Sequence, residues 1–109
     1  MIVEQIRYFT TQVDRDTVLT ARRAVNRVRA SLGIPPGHTL LADADPDEGP
    51  TLIWQCVYED EGQLAAAEGA LMGDETYEAA RSTLSRLAVR VELELYVSDE
   101  EEEGADSAT

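Results

Sequence analysis

Glu4 is the residue best placed to move a proton. In the run Ile2-Val3-Glu4-Gln5-Ile6-Arg7-Tyr8, alternation sets it with Ile2, Ile6 and Tyr8, on the side a strand turns toward its core. A carboxylate drawn out of water among apolar groups can serve as a general acid or base. The same residue at a twisted strand start can instead reach solvent or an arginine. Aromatic groups accompany it. Tyr8 shares its strand, while Trp54 and Tyr58 occupy a second strand-like run, Thr51 to Tyr58. Together they can line a ligand pocket, with the phenols fixing polar substituents, or they can serve as plain core aromatics.

The other chemically capable side chains carry weaker signals. His38 is the only histidine and follows Pro35-Pro36-Gly37 at a strand start, so it is a candidate ligand-binding residue or simply an exposed loop residue. Cys56, the only cysteine, reads as a small buried apolar residue rather than a nucleophile. One histidine and one cysteine without a spacing motif do not make a metal site, and no glycine-rich phosphate loop or nucleophile elbow is present. We expect neither metal nor cofactor. Arg22, Arg23, Arg27 and Arg29 are expected to lie mostly off the buried stripe of their helix, on a solvated face that could dock an acidic partner.

Positioning these groups requires ordered elements, and the chain supplies them in a legible sequence. Ile2 to Thr10 reads as a first strand. Asp14 or Asp16 can cap a helix in which Val18, Ala21, Val25, Val28 and Leu32 recur at steps of three and four. Gly33 suits the residue after that helix, and Pro35-Pro36-Gly37 prevents its continuation. His38 to Ala44 forms a short strand, 45–50 a turn, and the apolar density of Thr51 to Tyr58 marks a central strand. Leu64, Ala67 and Leu71 then stripe a second helical region, which breaks at Gly73-Asp74 and resumes through Tyr77, Ala80, Leu84 and Leu87. The final run, Val89 to Val97, alternates without error: odd positions are apolar, even ones polar or amphipathic.

Composition limits what this assembly can be. At 109 residues it is one domain over 1–97, followed by a tail, 98–109, whose acids at 99–103 and 106 read as a solvated, disordered extension. A net charge of −13 argues against nucleic-acid binding, which needs clustered cations. All nine bases are arginine. The opening residues lack a signal-peptide pattern and no apolar run approaches a membrane span, so a soluble, cytoplasmic protein in a reducing compartment is expected.

The order β-α-β-β-α-β is the split βαβ, or ferredoxin-like, α+β arrangement: a four-stranded antiparallel sheet with helices on one face and the first and third strands central. On the last strand Val89, Val91, Leu93, Leu95 and Val97 would meet the helices. Val3, Phe9, Ile53 and Val57 would then sit on the open face, a patch monomers seldom leave uncovered. A homodimer through that face is expected, with Arg7 and Arg90 meeting Glu92 and Glu94 across a two-fold axis.

Taken together, the strand opening at Met1, the third strand Pro50-Thr51-Leu52-Ile53-Trp54-Gln55 and the broken helix around Met72-Gly73-Asp74-Glu75-Thr76-Tyr77 resemble the dimeric α/β-barrel superfamily. That superfamily includes antibiotic-biosynthesis-monooxygenase-like and NIPSNAP-like domains. The resemblance spans residues 1 to about 97 and implies a ligand cleft between helices and sheet. It also implies a Trp, Asn and polar aromatic or His set for cofactor-free oxygenation, or an Asn-Trp-His set for haem degradation. Trp54 matches as an aromatic wall, but the first strand has no Asn, Asn26 falls off its helix's stripe, and the second helical region has no His. The expected function is binding of a small apolar or aromatic organic ligand, as a cofactor-independent monooxygenase, isomerase or cyclase in which Glu4 shuttles a proton while Trp54, Tyr8 and Tyr58 orient the substrate. The alternative is a non-catalytic ligand sensor or an accessory or interaction protein on the same scaffold.

Overall fold

A computed structural model describes residues 1–98; the acidic run at 99–103 and 106 lies outside the described residues. The elements follow as β1 (Ile2–Phe9), α1 (Arg15–Ser31), β2 (His38–Leu41), β3 (Leu52–Tyr58), α2 (Glu61–Leu71), α3 (Glu75–Leu87) and β4 (Arg90–Val97). Their sheet runs β2-β3-β1-β4 with every pairing antiparallel. This is the ferredoxin-like α+β fold, with β1 and β3 in the centre and the second helical region divided in two. Gly73, at φ 83°, makes the break, and the side chain of Asp74 then accepts from Tyr77 N at 2.9 Å to start α3. Among the described residues no helix is long and apolar enough to cross a membrane.

Register decides which side chains share a face. Ile2 pairs with Tyr58, Glu4 with Cys56, Ile6 with Trp54 and Tyr8 with Leu52. These eight form the helix-facing side of the two central strands, and all but Glu4 join the core with Val18, Ala21 and Val25 of α1, Ala67 of α2, and Ala80 and Leu84 of α3. Two hydrogen bonds between Thr10 and Thr51, both buried, tie the ends of the central strands together.

The first helix departs from expectation in three respects. Asp14 occupies the position before it without a side-chain capping bond, and Asp16 lies within its first turn. Leu32 is exposed, because the helix stops at Ser31 and Gly33 (φ 74°) reverses the chain, with Gly33 N bonding Ala30 O and Ile34 N bonding Arg29 O. Most consequentially, Arg22 and Arg29 are not on a solvated face: they are only 3% and 4% exposed. Spaced seven apart, they lie two turns from each other on one side of α1, directed at the sheet. Arg23 and Arg27 are exposed as expected.

The last strand also corrects the sequence reading. Val91, Leu93, Leu95 and Val97 oppose Tyr8, Ile6, Glu4 and Ile2 and so share the helix side, yet they remain 45–76% exposed. The helices rest over the central strands and leave this edge bare.

On the opposite side, Phe9 is buried rather than part of an open patch, with the Arg90 guanidinium stacked 4.0 Å from its ring centre. Arg7 pairs with Glu92 at 3.3 Å and with Glu94, and Arg90 pairs with Glu92 at 3.4 Å. The charge pairs expected across a two-fold axis are thus made within the chain. Val57 and Leu40 stand half exposed beside partly buried Val3 and Ile53, an apolar strip confined to the β2–β3–β1 part of that face.

Candidate functional site

Where the helices stop short of β4, a cleft of about 510 Å3 opens between helices and sheet. Its floor is Glu4, Ile6 and Tyr8 of β1, Trp54 and Tyr58 of β3, and Val91 and Leu93 of β4; α1 contributes Arg22 and Arg29, and the two short helices add Leu71, Tyr77 and Leu84. Val91 and Leu93 of the exposed row on β4 are therefore apolar lining of the cleft. Of the residues singled out in the sequence, Glu4, Tyr8, Trp54 and Tyr58 come together here. His38 does not. It begins β2, opposes Gln55 on the side away from the helices, and is exposed.

A connected set of hydrogen bonds runs through the site. Arg29 Nη2 donates to the Tyr58 hydroxyl at 2.7 Å, and that hydroxyl donates to Glu4 Oε1 at 2.9 Å. Arg22 Nη1 donates to the Tyr8 hydroxyl at 3.1 Å, and Arg22 Nε to Asn26 Oδ1 at 3.0 Å. Asn26, off the apolar stripe as expected, in turn donates to Thr39 Oγ1 at 3.1 Å, anchoring α1 to β2. Burial is the main influence on the ionising groups. It raises the pKa of Tyr8 and Tyr58 above the ordinary phenol value despite the neighbouring guanidiniums, and it lowers that of Arg22. Both phenols are held protonated, as donors and relays rather than bases.

The indole of Trp54 is fixed on two sides. The Arg22 guanidinium lies 4.0 Å from its ring centre and that of Arg29 4.8 Å. Trp54 Nε1 donates to Pro36 O at 2.9 Å, while Arg29 Nε donates to Pro35 O at 2.7 Å. The Pro35-Pro36-Gly37 segment thus does more than end a helix: its carbonyls clamp two site residues. Gly37 is part of that clamp, because at φ 75° a Cβ there would stand 2.5 Å from Trp54 Nε1.

Arg22, Arg29 and the clamp are what the sequence reading missed. A signal existed for the arginines, since Arg22 and Arg29 flank Val18, Ala21, Val25 and Val28 on the helical wheel and widen the stripe rather than oppose it. Nothing local announces the role of two proline carbonyls.

Cys56 is buried and in no disulfide among the described residues; its contacts are long, accepting from Arg29 Nη2 at 3.7 Å and donating to Pro35 O at 3.8 Å. Among the described residues, Asp45, Asp47 and Glu48 bring three possible metal ligands together, all exposed on the β2–β3 turn.

The sequence matches no protein-family model and no curated protein. Solved structures with this fold are nonetheless numerous in kind. A NIPSNAP family protein of Agrobacterium tumefaciens superposes with a TM-score of 0.68 at 23% identity, covering 90% of this chain and 93% of that one. A protein of Nitrosomonas europaea, described as a candidate antibiotic biosynthesis monooxygenase, gives 0.64 at 15% identity over 91% and 99%. A dimeric ferredoxin-like protein of unknown function from Jannaschia gives 0.67 at 12% over 89% and 98%. The expected resemblance to antibiotic-biosynthesis-monooxygenase-like and NIPSNAP proteins is therefore present at the level of the fold.

Proposed function

We propose that the cleft binds a small, flat, largely apolar organic molecule and that the protein acts on it without a cofactor, with Glu4 as the proton acceptor. The observation that carries this reading is the position of the Glu4 carboxylate. It lies on the cavity floor beside Ile6 and Leu93, 2.9 Å from a protonated phenol that Arg29 holds in place. A weakly acidic C–H or O–H laid against Trp54 gives its proton to Glu4, and the resulting anion is met by the hydroxyls of Tyr8 and Tyr58. Isomerisation or cyclisation of a cyclic or aromatic substrate can begin with this step, and so can its oxygenation by molecular oxygen. The monooxygenase-like description of one structural neighbour supports the reading as analogy of fold.

The test is deuterium exchange. A panel of cyclic monoketones and quinols incubated with the protein in heavy water should lose α- or ring-proton signals in the NMR spectrum faster than in buffer alone. Glu4→Gln should slow this by about 10²–10⁴-fold, the usual range for a lost general base. Equal exchange in the variant removes Glu4 from the chemistry. Saturable binding with no exchange in either protein supports a ligand sensor instead.

The functional unit we infer is a homodimer joined through the apolar strip of Val3, Leu40, Ile53 and Val57. Dimeric descriptions of structural neighbours support it, as does the rarity of an uncovered apolar sheet centre in monomers. A cytoplasmic location goes with this reading, supported by the single buried thiol of Cys56.

A further inference from the structure

Arg22 and Arg29 are buried cations. Among the described residues neither guanidinium forms an ion pair; the ion pairs that exist involve Arg7, Arg81 and Arg90. Every acceptor they have among the described residues is neutral: the Tyr8 and Tyr58 hydroxyls, the Asn26 amide oxygen, the Pro35 carbonyl and the Cys56 sulfur. Such acceptors orient a guanidinium without cancelling its charge. Two like charges side by side under a helix are costly in a fold that needs only stability, and a carboxylate between them would be the ordinary remedy. Among the described residues the cleft's carboxylates, Glu4, Glu68 and Glu78, form no ion pair with either guanidinium, and Glu4 is joined to Arg29 only through the Tyr58 hydroxyl.

The unused arms point to the reason. Arg22 Nη2 and Arg29 Nη1 have no hydrogen-bond partner among the described residues. Neither is among the nitrogens sealed from solvent without one, and both residues line the cleft. They are therefore reachable from the cavity, next to the flat face of Trp54.

We propose that Arg22 and Arg29 form an oxyanion subsite, and that the ligand is a planar organic acid whose anionic oxygens sit between the two guanidiniums while its apolar body lies against Val91 and Leu93. The inference rests on the cleft being the ligand site, as above, and adds the ligand's charge class. A carboxylate or an acidic enol or phenol presents the same chemistry, and arginine's rigid fork suits either.

Benzoate, 4-nitrophenolate and the neutral isostere benzamide, titrated calorimetrically into the protein, are the probes; quenching of Trp54, the only tryptophan, locates the binding. Benzoate or 4-nitrophenolate is expected to bind at least about tenfold more tightly than benzamide, as charge-assisted pairing implies, and whichever is tighter identifies the oxyanion. The preference should disappear in Arg22→Gln/Arg29→Gln, checked for folding by circular dichroism. Should that double variant unfold, the ratio in the unaltered protein and in single Arg22→Lys, which keeps the charge but loses the fork, decides the matter. Benzamide binding as well as both anions overturns the subsite and leaves the cleft standing. Absence of Trp54 quenching by all three up to tens of millimolar overturns both.

Discussion

At the scale of single residues, the site's character comes from groups whose ordinary ionisation is suppressed by burial. Tyr8 and Tyr58 are neutral donors because an ionised phenol under α1 would lose its hydration, and the nearby guanidiniums offset this only in part. The sign of the resulting linkage is definite. The folded protein binds these two protons more tightly than the unfolded chain, so their contribution to stability is intact below the ordinary phenol pKa of 10.0 and is lost as pH rises above it. Spectrophotometric titration near 295 nm should show both tyrosines ionising late, together with loss of fold, and Tyr8→Phe should remove one of the late transitions. Titration of both near 10 in a protein still folded would contradict the burial described. This scale was also the least legible in sequence. Glu4, Tyr8, Trp54 and Tyr58 could be grouped by alternation and strand pairing alone. Arg22 and Arg29 border the apolar stripe on the helical wheel, but their charge type suggests a solvated face, and burial depends on what neutral acceptors the sheet and the 34–37 loop present.

Among the elements, the connection between α1 and β2 governs how the cleft keeps its shape. Pro35 and Pro36 supply fixed carbonyls to Arg29 and Trp54, and Gly37 lets the chain pass the indole with no side chain of its own. In Gly37→Ala the left-handed backbone costs about 1–2 kcal/mol. The methyl group also meets Trp54 and Gln55 O at under 3.0 Å. Overpacking of that kind costs about 1–3 kcal/mol more. Urea unfolding should show a loss of about 3 kcal/mol, with a shifted Trp54 emission in the folded variant; an unchanged midpoint would mean the clamp is not tight. Element order and the break at Gly73-Asp74 were readable from hydrophobic period and turn residues. The coverage of β4 was not. Its perfect alternation records which side is apolar, but whether a helix lies over that side depends on helix placement, and here Val91 and Leu93 line a cavity instead of joining the core.

For the whole molecule, the sheet's outer face is divided. Arg7, Arg90, Glu92, Glu94 and Tyr96 form a polar network along β1 and β4, and Leu40, Ile53, Val57 and Val3 make an apolar strip beside it. In the proposed dimer the strip carries the association. Val57→Asp should accordingly give single-chain mass by light scattering at micromolar concentration, with far-ultraviolet circular dichroism unchanged, because a half-exposed position tolerates such a change within about 0.5 kcal/mol in the protomer. Retention of the dimer mass would move the interface elsewhere. The same division has a consequence for the free margin of the sheet. Strand β4 offers unpaired backbone groups along one side and apolar side chains along its cleft face, the ingredients of strand-on-strand polymerisation. Alternating Arg90, Glu92 and Glu94 interrupt every apolar pair, so a neighbouring molecule laid along this margin in register would bring like charges together. In the proposed dimer the charged half of the face opposes growth into a fibre.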